Sequence, residues 1–212
     1  RRAIAHSIDR EGIVKALVQG ESIVVNSLCF PSQFGCTQDV PTYDYNPEKA
    51  KKLLAEAGYP NGFETPFLAY RNRDYAEAMI NNLNAVGITA KFEYLKYAAF
   101  RDKVQSGGAP FNFGTWGSYS INDVSAITSH FQSGGKDDYS KDPEVIKQLG
   151  IGDTSVDANV RKAAYKAALS RISGEAFMFP LWSYNTWYAF SKDVDFNPTP
   201  DEIPRFFTAK WM

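Results

Sequence analysis

"FETPFLAYRNRDYAEAMINNLNAVGITAKFEYL", Phe63 to Leu95, changes its hydrophobic period twice. "FETPFLAY" (63–70) is a short apolar run, which predicts a strand. "DYAEAMINNLNAVG" (74–87) puts Ala76, Met79, Ile80 and Leu83 on one helical face and stops at Gly87. "ITAKFEYL" (88–95) alternates, with Ile88, Ala90, Phe92 and Tyr94 on one side, so it predicts a second strand. "YAAFRDKVQSG" (97–107) then reads as a helix and "FNFGTW" (111–116) as a third strand. Strand, helix, strand, helix, strand predicts an α/β fold, with a parallel or mixed central sheet and helices on its faces.

The flanks agree with that class. Before the alternating region, Ala3, Ile4 and Ile8 share an apolar face. Asp9 can cap a second helix that carries Ile13, Val14 and Leu17 and stops at Gly20. Residues 21–45 read as a long loop. In "NPEKAKKLLAEAGYP", Asn46 is the N-cap, Pro47 the first helical residue and Gly58 the stop, with Ala50, Leu53, Leu54 and Ala57 on one face. After it, "INDVSAITSHF" (121–131) predicts a helix, and a short helix runs through Val145 and Leu149. "DANVRKAAYKAALSRIS" (157–173) is a long helix, in which Val160, Ala164, Ala168 and Ile172 step by four. The stretch from Phe177 to Phe190 reads as extended, and seven of its fourteen residues are aromatic.

The totals exclude several classes. The chain has 212 residues, 44% hydrophobic and 22% charged, which is the ordinary balance of a globular protein with a core. A formal charge of -1 leaves no basic footprint for nucleic acid and no acidic tail. No apolar run reaches the about 18 residues of a transmembrane span. The opening "RRAIAHSIDREG" starts within an amphipathic helix pattern, which reads as a processed or excised piece. Cys29 and Cys36 lie in one Pro- and Gly-marked loop. A disulfide between them would contribute about 2–3 kcal/mol by loop closure in an oxidising compartment, and two independent buried thiols is the other reading. Only His6 and His130 are available to join them, so a zinc site is not expected.

Catalytic motifs are poor. "GSYSI" only mimics a nucleophile elbow, "GIG" at 150–152 is too short for a dinucleotide fingerprint, and no P-loop is present. A triad of Ser118 or Ser120 with His130 and an aspartate competes with His130 as a plain helix-surface residue. No enzyme activity and no cofactor is expected. Ligands of open α/β sheets bind beyond the carboxyl ends of the strands. That rule singles out the loop after Trp116, where Gly117 is followed by Ser118, Tyr119 and Ser120, whose hydroxyls can face a crevice. The competing reading is a turn in which Ser120 or Asn122 caps the next helix. Arg71 and Arg73 follow the first strand beside a helix N-terminus, where an arginine can pair with a carboxylate or stay in solvent. Trp182, Tyr184 and Trp187 offer aromatic faces for binding or for packing.

The order of these segments resembles a known family. "RRAIAHSIDREGIVKAL", "YDYNPEKAKKLLAEAGYPNGF", "ITAKFEYLKYAAFRDKVQSGGAPFNFGTWG", "DPEVIKQL" and "AFMFPLWSYNTWYAFSKDV" look like the C-terminal lobe of the family 5 solute-binding proteins, the dipeptide, oligopeptide and nickel-type receptors of bacterial ABC importers. The resemblance implies a type II periplasmic-binding-protein lobe, with a central mixed sheet flanked by helices on both faces. It implies residues 1–184 as the ligand-binding lobe and 185–212 as a tail returning to a missing N-terminal lobe. It further implies a small-molecule solute (a peptide, an opine or similar), a membrane permease as partner, no nucleic acid, and a periplasmic or lipid-anchored cell-surface location. An effector-binding regulatory domain of the same fold is the alternative. Peptide-binding members carry W-x-x-D, whose aspartate receives the ligand amine. Here Trp116 is followed at that spacing by Tyr119, and Asp123 substitutes only if the loop folds back. Arg71 falls near the arginine that dipeptide receptors use for the ligand carboxylate. The resemblance therefore implies a ligand with hydroxyls, an amide or an anionic group rather than a free-amine peptide, bound by Arg71, Trp116, Gly117, Ser118, Tyr119, Ser120, Asp123 and Trp182.

Overall fold

The computed structural model describes residues 1–18, 20–117, 121–199 and 203–212. The N-terminal helices are α1 (Arg2–Ser7), α2 (Arg10–Leu17) and α3 (Pro47–Glu56). Both predicted caps are made: Asp9 accepts from the Gly12 amide, and Asn46 accepts from Lys49 with Pro47 at the first turn. α2 ends at Leu17, earlier than Gly20, because Val18 is already extended.

The alternating region gives β1 (Phe63–Ala69), α4 (Arg73–Ala85), β2 (Ile88–Tyr94), α5 (Tyr97–Gln105) and β3 (Asn112–Phe113). The sheet order is β2-β1-β3 and both pairings are parallel, with Phe63 opposite Ile88 and Leu68 opposite Asn112. Parallel neighbours need a crossover, and α4 supplies it. The period of two then sorts β1 between two layers. Phe67 and Ala69 join Ile88, Ala76, Met79, Leu83 and Ala50 in the larger core, while Leu68 packs on Phe100 and Val104 of α5 across the sheet. Gly62, at φ +77, brings its backbone so close to Gly87 that an added Cβ would lie 1.8 Å from the Gly87 carbonyl oxygen. Only glycine fits there.

The chain continues through α6 (Ser125–Phe131), α7 (Pro143–Thr154) and α8 (Ala158–Gly174). α6 begins four residues later than the pattern predicts, because Phe34 and Asp123 form an isolated bridge instead. α7 is longer than expected: it runs through Gly150 and Gly152, since Gly152 leaves room for the buried ring of Tyr165 on α8. Leu149, Tyr165, Leu169, Ile172 and Val145 make a second core with Leu28 and Cys29. The strand expected over 111–116 is paired only at Asn112–Phe113, so Trp116 lies beyond the ladder. The aromatic stretch from Phe177 is irregular apart from one bridge between Val24 and Trp182. The tail forms a separate antiparallel ribbon of β4 (Val194–Asp195) and β5 (Lys210–Trp211), so the three-stranded sheet itself is parallel rather than mixed. No helix is long and apolar enough to cross a membrane among the described residues.

Candidate ligand-binding crevice

A crevice of about 1300 Å³ opens beyond the carboxyl ends of β1 and β3. Tyr70 follows β1, and Gly114, Thr115 and Trp116 follow β3, so the strand ends deliver one wall. Tyr97, Phe100 and Arg101 of α5 supply another, and the irregular stretch from Ala176 to Tyr188 closes a third side. Tyr70 lies against Tyr97 and Phe100, with ring centroids 5.0 and 4.8 Å apart, which fixes its ring in the wall.

Trp116 is held on several sides. Its indole Nε1 donates to the Ala126 carbonyl at 3.3 Å. His130 stacks on it at 4.3 Å, and Phe131 meets it edge-on at 5.0 Å. His130 is therefore half-buried against the crevice wall and not a plain surface residue. Its Nε2 lies 3.4 Å from Asp137, whose carboxylate is bound at both oxygens by Arg101 at 2.6 and 2.9 Å. Burial raises the Asp137 pKa, but the hydrogen bonds and charge of Arg101 outweigh it, and the carboxyl is held below its ordinary value. Arg101 and Asp137 both line the crevice.

Gly117 and Trp182 also line the crevice. Trp182 is buried, edge-on to Tyr75 at 5.6 Å and tilted on Phe113 at 6.5 Å, so it anchors the wall to the sheet. Ser118, Tyr119 and Ser120 lie outside the described residues. Arg71 is exposed and is not among the residues that line the crevice; it donates to the hydroxyl of the lining residue Thr115 at 3.1 Å. Tyr70 shares that hydroxyl at 3.1 Å.

Asp123 does not join them. Its carboxylate receives Arg161 of α8 at 2.7 Å and the Ser125 amide at 3.0 Å. Burial acts against its ionisation, yet these bonds keep its pKa below the ordinary value. A carboxylate bound this way faces α8, and Asp123 is not among the residues that line the crevice. Asn72 departs from pattern for a related reason. It precedes α4 at φ +51 without capping it, because its side chain accepts from Tyr184 at 3.2 Å. Tyr184 is a crevice residue whose pKa is pushed well up by burial.

The sequence reading missed Arg10. It is 8% exposed, and its guanidinium donates to the carbonyls of Val25 (2.8 Å) and Pro180 (3.0 Å), to Asn26 (3.1 Å) and to the Tyr43 carbonyl (3.2 Å). It also lies 4.7 Å from the Phe179 ring centre. Burial lowers its pKa. Arg10 thus joins two crevice-lining segments that are distant in sequence. No group of three or more His, Cys, Asp or Glu residues suited to a metal exists among the described residues.

A parallel α/β lobe with an open, aromatic crevice at its strand ends has the architecture of one lobe of a type II periplasmic binding protein. The family model described as bacterial extracellular solute-binding proteins, family 5 Middle, matches residues 1–138, and the chain belongs to that family. Its relatives are binding proteins and not enzymes. Heme-binding protein A of Haemophilus influenzae is 43% identical over 67 residues, which cover 32% of this chain and 12% of that protein. The dipeptide-binding protein of Escherichia coli K12 is 35% identical over 112 residues, covering 46% and 21%. The solved structure of HbpA2 from Haemophilus parasuis superposes on all of this chain with a TM-score of 0.86 at 26% identity. The chain spans 44% of that structure, less than half the length of such proteins.

Proposed function

We propose that this chain is the C-terminal lobe of the solute-binding component of an ABC importer. Residues 1–184 form the binding lobe, and residues 185–212 return to an N-terminal lobe that closes over the solute. The observation that carries this reading is the crevice at the ends of β1 and β3 in a member of family 5. A crevice enclosed from one side needs a second surface to remove a ligand from water. The tail supports the boundary: Trp187, Phe206, Phe207 and Trp211 are all at least 70% exposed, an apolar surface suited to burial against further chain. The working protein then sits in the periplasm or on a cell-surface lipid anchor and hands its solute to a membrane permease.

The solute is a small polar molecule with hydroxyl, amide or anionic groups, such as an opine or a blocked peptide, rather than a free-amine dipeptide. The E. coli relative is a dipeptide-binding protein. Here the aspartate position of W-x-x-D holds Tyr119, a neutral phenol that cannot act as counter-ion to an ammonium. The engagement of Asp123 by Arg161 argues against its taking that place. Arg71, beside Thr115, remains suited to a ligand carboxylate. Trp116, Gly117, Ser118, Ser120 and Trp182 complete the proposed site.

Thermal shift of the intact protein with Met-Leu, its N-acetyl form and mannopinic acid tests the reading. Mannopinic acid or the acetylated peptide should raise the melting temperature, and free Met-Leu should not. Tight Met-Leu binding by the parent, lost on changing Asp123 alone, would overturn the assignment.

A further inference from the structure

The disulfide-closed loop is built onto the crevice wall. Cys29 and Cys36 are joined, with Cα atoms 5.7 Å apart. Cys29, Phe30, Ser32 and Gln33 of this ring line the crevice. The ring also holds the chain from Ile121 onward. The Phe34 amide donates to the Asn122 carbonyl at 3.1 Å, and the Val124 amide returns a bond to the Phe34 carbonyl at 3.0 Å. Gln33 Nε2 donates to the Ile121 carbonyl at 3.3 Å.

The ring is itself fixed from two directions. Gln38 accepts from the Asn26 and Ser27 amides and donates to the Cys29 carbonyl. Arg161 lies 4.7 Å from the Phe34 ring centre while its guanidinium binds Asp123. Gly35, at φ +78, leaves no room for a side chain beside Tyr165. The 121–124 segment leads directly into α6, where the Ala126 carbonyl accepts the Trp116 indole. A continuous path therefore runs from the disulfide through Phe34, Asn122 and Val124 to Ala126 and Trp116.

We propose that the Cys29–Cys36 ring is the positioning element of the Trp116 wall, so that the oxidation state of this pair sets how firmly the crevice is shaped. Cys29, Cys36 and Phe34 are positioning residues and need not touch the solute. The inference rests on the crevice being the solute site, but its logic is local. Opening the ring removes the covalent restraint on Phe34, loosens its bridge to the 121–124 segment, and leaves the Ala126 acceptor of Trp116 less firmly placed. Local opening of this kind speeds amide exchange in the affected segment and leaves the rest at the global rate.

The test is hydrogen exchange by NMR on the intact protein and its Cys29→Ala/Cys36→Ala variant, repeated on the parent under a phosphine reductant. The Phe34 and Val124 amides and the Trp116 indole N–H should exchange at least about tenfold faster in the open-ring forms. The sheet amides of Leu68 and Leu95, bonded to Phe111 and Ala69, should keep their rates and report that the fold survives. Unchanged exchange at Val124 and Trp116 would overturn the proposal. So would an equal acceleration at Leu68 and Leu95, which would make the ring a general staple. Solute binding does not enter these readouts, so a failure of the transport reading would leave them decisive.

Discussion

Asp142 offers a quantitative test of how the second core is held. Its carboxylate caps α7 by accepting from the Glu144 and Val145 amides, and it binds Arg171 of α8 at two nitrogens, both at 2.7 Å. Arg171, by hydrogen bond and charge, holds its pKa at about 2, against an ordinary 3.8. Asp142 is nearly buried, but the Arg171 side chain is 44% exposed, so solvent screens part of the interaction. After that discount the ionised carboxylate contributes about 1–2 kcal/mol. Asp142→Asn keeps an acceptor for the cap and loses the charge, so it should cost about 1–2 kcal/mol near neutral pH. Asp142→Ala loses the cap as well and should cost about 1 kcal/mol more. The sign of the pH effect follows from the direction of the shift. A depressed carboxyl stabilises the fold above its unfolded pKa, and the contribution disappears as pH falls through its folded value. The gap between parent and Asn variant should therefore be full above about pH 4 and close toward about pH 2. Urea unfolding across that range measures it. Equal stability near neutral pH, or a gap that persists unchanged at low pH, would refute the reasoning.

Further outcomes follow from single contacts. Gly152→Ala places a Cβ 2.4 Å from the Tyr165 ring, and overpacking should cost about 1–3 kcal/mol in thermal unfolding. Trp182→Ala empties the junction with Tyr75 and Phe113 and should cost about 3–5 kcal/mol. Arg10→Met strips the donor from four acceptors at once, so a loss of at least about 2 kcal/mol is expected by chemical denaturation. Tyr119→Asp restores W-x-x-D and should let free Met-Leu stabilise the intact protein in thermal shift; no gain would remove Tyr119 as the specificity determinant.

The regular elements were legible because their signals are local. Asn46–Pro47 and Asp9 announce their helices, and the change of period across residues 63–95 fixes the parallel β1-α4-β2 unit. What escaped depends on contacts between distant segments. Arg10 follows a capping aspartate, and nothing in its local sequence marks it; only the fold brings Val25 and Pro180 to it. The start of α6 was misplaced because Phe34, far away in sequence, claims residues 122–124. Asp123 looked like a candidate anchor because nothing in its neighbourhood names Arg161, which lies on α8. Trp116 and Trp182 both line the crevice, and their positions, one beyond a strand end and one in an aromatic cluster, are the kind of signal a sequence carries. Arg101 and Asp137 were not, since a lone arginine in a helix and an aspartate in a polar loop look alike everywhere.

Native mass spectrometry of the intact protein as purified from cells tests the central claim most directly. A retained small molecule with hydroxyl, amide or anionic character and no free α-amine is the predicted result. A retained free-amine peptide would contradict the specificity argued from Tyr119 and from the engagement of Asp123 by Arg161.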